Sequence, residues 1–125
     1  MLPHRIVAFG ASSIHGVGDP EGGGFVGRLR AWHESQHEKN LVFNLGVPGD
    51  MTAGMLTRFI PEVKFRSPDL ILFYFGLNDV RRMEFIPIQK AINSFLRSYR
   101  NSWSQCPFKS PALLETFRLL DCSSL

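Results

Sequence analysis

Cysteine is scarce in this 125-residue sequence, and there is little excess charge of either sign. The two cysteines, Cys106 and Cys122, are too few for a disulfide framework and do not have the spacing of metal ligands. Lysine and arginine together number 14 against 11 acidic residues, and basic residues never form a run longer than two. These scarcities exclude a disulfide-rich miniprotein and a zinc finger, and they predict no nucleic-acid partner and no metal site.

Long apolar runs are absent as well, because no stretch approaches the roughly 20 residues that span a membrane. Only Ile6 to Phe9 form an apolar run before Gly10, which is not the layout of a secretory signal. We therefore expect no membrane span and a cytoplasmic protein. The 44% hydrophobic content is ordinary for a globular protein, and the length suits a single domain over residues 1–125.

Three short apolar segments, each followed by a glycine, predict three β-strands. The segments are Arg5–Phe9, Leu41–Leu45 and Asp69–Phe75, and the glycines are Gly10, Gly46 and Gly76. Short, unbroken apolar character is typical of strands that are buried on both faces. The last strand should need neighbours on both of its edges, so we expect self-association through residues 70–75 if one edge is left open.

Three other segments have apolar residues at helical spacing. Their predicted buried faces are Phe25, Leu29 and Trp32; Met55, Leu56, Phe59, Ile60 and Val63; and Ile88, Ile92, Phe95, Leu96 and Tyr99. The first helix should end near Lys39-Asn40, Asp50 should cap the second, and Pro61 should kink or restart it. The alternation of strands and helices predicts an α/β fold with a parallel sheet between two helical layers.

The composition changes near residue 93. All 11 glycines lie at or before Gly76, and neither valine nor isoleucine occurs after Ile92. A further β-branched strand is expected there in an α/β domain, but the sequence offers only one amphipathic helical pattern, Ser110–Leu120. Either this tail is irregular, or the native continuation of the chain was lost through truncation or a change of reading frame.

Polar residues follow each predicted strand, where parallel sheets place their functional loops. After the first strand, Ser12 on a tight turn suits a nucleophile with a backbone N–H beside it, although Gly/Ser clusters are also common in plain loops. After the second, the Gly49 backbone allows close approach of a substrate oxygen, or the segment simply begins a helix. After the third, Asn78 offers an amide donor, or forms an Asn-Asp turn.

These three segments together resemble the sequence blocks of the SGNH hydrolases, also called the GDSL esterase/lipase family. "AFGASSIHG" is similar to the first block, "NLGVPGD" to the second and "FGLND" to the third, over roughly residues 5 to 100. The resemblance implies that Ser12 is the nucleophile and that Gly49 and Asn78 form the oxyanion hole. It also implies a flavodoxin-like three-layer α/β/α fold, here with strands 1–3 only and in the order 2-1-3, a small-molecule ester substrate and no cofactor.

The sequence departs from the family pattern in two places. Ala11 replaces an Asp that is not the nucleophile, a tolerable change. The late Asp-x-x-His block, which supplies the catalytic acid and base residues, has no counterpart: after residue 79 there is one Asp, Asp121, and no His. We therefore expect a hydrolase that is impaired or inactive as this chain.

None of the four histidines is a good replacement for the absent base. His15 follows Ser12 too closely in sequence for a productive geometry. His33 and His37, four residues apart, are expected on the surface, and His4 lies at the opposite end of the sheet. A non-catalytic ligand-binding remnant of the same fold therefore remains open. A dehydrogenase-like nucleotide site is less favoured, because its loop requires glycine where Ile14 stands.

Overall fold

The computed structural model describes residues 3–82, 90, 93–98 and 101. The predicted helical positions Ile88, Ile92 and Tyr99, both cysteines and the predicted helix Ser110–Leu120 lie outside these described residues. The tail that begins near residue 93 is thus described only in part.

The sheet confirms the predicted strands and their order. Strands β1 (Arg5–Gly10), β2 (Leu41–Gly46) and β3 (Leu70–Tyr74) lie parallel in the order β2-β1-β3. The register pairs Gly10 of the central strand with Gly46 on one side and Tyr74 on the other. All three carboxyl ends therefore meet at one edge of the sheet, as the α/β fold class requires.

Helices alternate with these strands. They are α1 (Ser12–His15), α2 (Gly24–Gln36), α3 (Thr52–Val63) and α4 (Leu77–Arg82), with a 3-10 turn at Lys64–Arg66. Residues 93–98 are also helical. Pro61 lies within the single continuous helix α3, so the predicted restart there was wrong. The helix ends two residues later, where the chain tightens into the 3-10 turn.

Two apolar clusters, one on each face of the sheet, form the core. On one face, Ile14 and Val26 of the first two helices pack with Ile6, Ala8 and Val42. On the other, the predicted α3 face and Phe95 pack against the sheet; the buried members are Val7, Phe9, Ala11, Met55, Phe59, Val63, Ile71 and Phe95. The central strand is buried on both faces, which explains its unbroken apolar sequence.

The predicted buried face of α2 was wrong for Phe25 and Trp32, while Leu29 is half-buried. Phe25 and Trp32 are 52% and 54% exposed, while the buried residues are Val26 and His33. Both pairs are seven residues apart, so each marks a helical stripe, but polar anchoring decides which stripe faces inward. The His33 Nε2 atom lies 3.3 Å from the His4 carbonyl oxygen, and the helix ends at Gln36 rather than near Lys39.

Candidate active site

Ser12 lies directly beyond the central strand, as the first residue of α1. The short helix is closed by backbone bonds from the His15 N–H to the Ala11 oxygen and from the Gly16 N–H to the Ser12 oxygen, both 3.0 Å. Ser12 is half-buried, and its hydroxyl has no hydrogen-bond partner among the residues that the structure describes. Its hydroxyl is therefore placed at the carboxyl edge of the sheet without a competing protein bond in that part of the chain.

The end of β2 is pressed against α1. A Cβ atom on Gly46 would lie 2.2 Å from the His15 backbone nitrogen, so only glycine fits this position. The Asn44 side-chain amide donates to the Ile14 carbonyl oxygen at 2.8 Å, and its own oxygen accepts the Gly46 N–H at 3.0 Å. These contacts join the first sequence segment to the second.

Gly49 occupies a tight turn after β2. The Asp50 N–H donates to the Val47 oxygen at 3.1 Å, and Gly49 has φ of 79°, the arrangement of a type II turn with Pro48 ahead of the glycine. The Val47 N–H donates to the Gly10 oxygen at 3.1 Å and so ties the turn to the central strand. Within the described residues the Gly49 N–H has no acceptor, and the space around its Cα is open.

Asn78 approaches that same turn from the third strand. It lies in the first turn of α4, and its Nδ2 atom donates to the Asp50 carbonyl oxygen at 2.8 Å. A side-chain amide has two N–H donors, so one remains for another acceptor. The structure thus brings Asn78 next to the turn that holds Gly49, and the predicted alternative of a simple Asn-Asp turn is replaced by the start of a helix.

The cap of α3 comes from Asp79 rather than Asp50, so the predicted Asp50 cap was wrong. The buried Asp79 carboxylate accepts the Thr52 N–H at 3.1 Å and the Thr52 hydroxyl at 2.9 Å. Asp50 instead accepts the Met51 N–H at 3.0 Å and the Arg58 Nε–H at 2.6 Å. A capping residue 27 positions away in sequence leaves no local signal.

Arg58 is the polar residue that sequence reasoning missed. Its guanidinium lies beneath the site on α3, 15% exposed, with its central carbon 4.2 Å from the centre of the Phe9 ring. Besides Asp50, it donates to the carbonyl oxygens of Gly10 at 2.8 Å and Leu45 at 3.0 Å. In the sequence it is a single arginine within an apolar helical pattern, which by itself does not indicate a site.

The histidines are divided between the two ends of the sheet. His15 is exposed at the Ser12 end, and its Nδ1 atom lies 3.2 Å from the Gly46 oxygen. That contact requires a proton on Nδ1, because a carbonyl oxygen only accepts. His4 and His33 lie at the opposite end, where His4 also binds Asn40. The expectation of a surface position was wrong for His33, which is buried, and right for His37, which is exposed.

The loop between α1 and α2 is held by an ion pair. Asp19 accepts the Gly22 N–H at 3.0 Å and a hydrogen bond from Arg28. The Arg28 guanidinium, followed by the Gly22 N–H, lowers the pKa of the Asp19 carboxyl below its ordinary value of 3.8. Arg28 is exposed and Asp19 is half-buried, so solvent screens the pair and it contributes little to the stability of the fold.

Every helix formed by residues 3–82, 90, 93–98 and 101 is too short or too polar to span a membrane.

Comparisons with known proteins agree with this arrangement. The chain resembles AlinE4, described as a SGNH-hydrolase family esterase, with 27% identity and a TM-score of 0.64 over 81% of this chain and 55% of AlinE4. TesA has 24% identity and a TM-score of 0.66, over 78% of this chain and 55% of TesA. The psychrotrophic esterase EstA from Pseudoalteromonas sp. has 19% identity and a TM-score of 0.65, over 79% of this chain and 55% of EstA. The last two show the fold alone.

The chain spans about 55% of the length of these solved structures. No curated protein sequence matches it. The model of the GDSL-like lipase/acylhydrolase family, however, matches residues 8–118, which is most of the chain and includes all three segments at the carboxyl edge of the sheet. The chain belongs to the GDSL-like lipase/acylhydrolase family.

Proposed function

We propose that this chain carries the nucleophile and oxyanion hole of a serine ester hydrolase acting on a small-molecule ester. The Ser12 oxygen attacks the ester carbonyl carbon, and the carbonyl oxygen becomes an oxyanion. The backbone N–H groups of Ser12 and Gly49 and the free N–H of Asn78 stabilise that charge. The Ser12 proton passes by way of water to the alkoxide, which leaves as the alcohol. A water molecule then hydrolyses the acyl-Ser12 ester, which releases the acid and restores the Ser12 hydroxyl. The reaction needs no cofactor.

One contact carries this proposal, the 2.8 Å hydrogen bond from the Asn78 amide to the Asp50 carbonyl oxygen. It holds an amide donor from the third sequence segment against the turn that contains Gly49. An oxyanion hole requires donors from separate loops to converge on one point, and a plain turn does not explain such a bond across 28 residues of sequence.

We further propose that catalysis is impaired in this chain. Without a histidine after residue 79, Ser12 has no dedicated base and its hydroxyl stays protonated at neutral pH. The His15 Nδ1 atom is directed at the Gly46 oxygen rather than at an acidic partner. Removal of a triad member leaves only about 10³–10⁴-fold catalysis over water, from binding and the oxyanion hole.

Hydrolysis of p-nitrophenyl acetate tests both parts of the proposal. The purified chain should hydrolyse it poorly, and Ser12→Ala should change that residual rate little, because binding and the oxyanion hole supply it. Ser13→Ala is the matched control, because it deletes the neighbouring hydroxyl of the same helix. Turnover typical of an esterase, abolished by Ser12→Ala, would contradict the impairment. Without a base, Ser12 should react slowly with fluorophosphonate, so the absence of any adduct on Ser12 after prolonged incubation with an excess of the reagent would contradict its role as nucleophile.

The alternative is a site that binds a ligand without turning it over. Two observations favour this alternative: the Gly49 N–H has no acceptor in the described part of the chain, and the sequence has no histidine after residue 79. Acetate, a product of ester hydrolysis, is a simple probe. Saturable acetate shifts of the Gly49 amide in NMR spectra, in a chain that forms no fluorophosphonate adduct, would favour the binding role over the hydrolase.

Three further proposals concern the whole chain. We place it in the cytoplasm, as a single domain over residues 1–125, and we expect it to self-associate through strand β3. The last rests on the outer edge of β3, with which no strand pairs in the part of the chain that the structure describes.

A further inference from the structure

Arg58 uses all three of its guanidinium nitrogens beneath the site. Nε donates to the Asp50 carboxylate at 2.6 Å and Nη2 to the Gly10 oxygen at 2.8 Å. Nη1 donates to the Leu45 oxygen at 3.0 Å and to the Glu62 carboxylate at 2.8 Å. A half-buried arginine with so many fixed partners has little freedom to move.

These partners belong to the separate pieces of the site. Gly10 ends the strand that leads to Ser12, and Leu45 is the last residue but one of the strand that leads to Gly49. Asp50 follows Gly49, and its carbonyl oxygen accepts the Asn78 amide at 2.8 Å. The Arg58 guanidinium, with the Asp50 residue that it binds, therefore connects the segment of Ser12, the turn of Gly49 and helix α4.

The bonds to Gly10 and Leu45 exceed what helix stability requires. An arginine that served only α3 would be satisfied by the Glu62 pair one turn away, which is a common helix surface contact. The Arg58 guanidinium is rigid and planar, so its bonds hold the Gly10 and Leu45 carbonyl oxygens at a fixed distance from each other. Lysine has one nitrogen, so it cannot span these acceptors at once.

We propose that Arg58, acting through Asp50, is a positioning residue that sets the spacing between Ser12 and the oxyanion donors Gly49 and Asn78. This inference rests on the proposed hydrolase function, since it concerns the same site. It assigns no contact with substrate to Arg58 itself. Arg58 keeps the segments of Ser12, Gly49 and Asn78 at fixed distances from one another. Attack by Ser12 and stabilisation of the oxyanion can then occur at the same substrate carbonyl group.

Arg58→Lys, which keeps the charge but not the fork of donors, is the main test. Arg66→Lys is the matched control. Like Arg58, Arg66 lies over an aromatic ring, but it is on the 3-10 turn that follows α3, away from Ser12. Asp50→Asn is a second variant, which keeps the shape and weakens the link, and it decides the question if Arg58→Lys does not fold. Thermal unfolding establishes that each variant is folded.

The functional readout is the reaction with an alkyl fluorophosphonate. A bond forms between the Ser12 oxygen and phosphorus, the P–F bond breaks, fluoride leaves and the serine proton passes to water. We expect Arg58→Lys to lower the maximal labelling rate by about 10²-fold with little change in the half-saturating concentration, because misplacement of about 1 Å has that effect. Arg66→Lys should label like the wild-type chain.

NMR spectra of the Asn78 side-chain amide and the Gly49 backbone amide provide a readout that is independent of reactivity. Both signals should shift in Arg58→Lys and in Asp50→Asn but not in Arg66→Lys. Wild-type labelling and unshifted signals in the folded Arg58→Lys chain would overturn the positioning role. If no variant and no wild-type chain labels at Ser12, the hydrolase proposal fails, and the NMR shifts alone then support or overturn the positioning role.

Discussion

At the scale of single residues, the side-chain amide of Asn78 has two N–H groups with different roles. One N–H donates to the Asp50 carbonyl oxygen, and the other, which has no acceptor in the described part of the chain, is the proposed oxyanion donor. Asn78→Ala should therefore lower the labelling rate of Ser12 by about 10²–10³-fold, the usual effect of losing one oxyanion donor. It should also destabilise the chain by about 1 kcal/mol, because the Asp50 oxygen loses its donor.

Leu77→Ala is the control for that substitution, because Leu77 is the exposed neighbour of Asn78 on the same helix. It should change neither the labelling rate nor the stability appreciably. Labelling of Asn78→Ala at the wild-type rate would show that the third sequence segment is only the start of a helix.

Asp79 stabilises a helix to which it does not belong. Its buried carboxylate accepts both the backbone N–H and the hydroxyl of Thr52, the first residue of α3. Asp79→Ala should destabilise the chain by about 1–2 kcal/mol, the usual loss for a helix cap, measured by urea denaturation. In a double-mutant cycle with Thr52→Ala, we expect a coupling energy of about 0.5–3 kcal/mol. Additive effects would mean that the cap is not energetically linked to Thr52.

At the scale of elements, the turn after β2 depends on the left-handed backbone of Gly49. Its φ of 79° suits glycine or asparagine, and nothing lies within 4 Å of the place where a Cβ would stand. Gly49→Asn should keep the turn. Gly49→Val should destabilise it by about 1–2 kcal/mol and slow Ser12 labelling, because a β-branched residue resists this conformation and fills the space in front of the N–H. Equal labelling of the two variants would contradict this role of the turn.

The elements also show how far the sequence predicted the fold. Arg5–Gly10 was predictable because a strand buried on both faces has an unbroken apolar sequence. Leu70–Tyr74 has the same apolar character, although only Ile71 of that strand is fully buried. The α2 face was not predictable, because Phe25 and Val26 are equally apolar and a polar contact of His33 decides between them. The bonds of Arg58 to Gly10 and of Asp79 to Thr52 were missed for a related reason, because they join residues 48 and 27 positions apart that only the folded topology brings together.

At the scale of the whole molecule, the two edges of the sheet differ. The outer edge of β2 is partly covered, since the Glu34 carboxylate accepts the Val42 N–H at 3.0 Å. In residues 3–82, 90, 93–98 and 101 no strand pairs with the outer edge of β3, and Tyr74 at its end is 49% exposed. An apolar strand with an open edge is a template for pairing with another chain. We therefore expect any self-association to take place at the β3 side of the sheet.

We predict that the chain is marginally stable and that it self-associates through β3 in a concentration-dependent way. Tyr74→Lys should weaken this association, because a lysine on an edge strand opposes strand pairing. Leu41→Lys places the same charge on the other edge strand and should have the smaller effect. Analytical ultracentrifugation of the three chains measures the difference. A clean monomer with a cooperative thermal transition at about 45–65 °C, the normal range for such domains, would contradict the prediction and would mean that the rest of the chain completes the sheet.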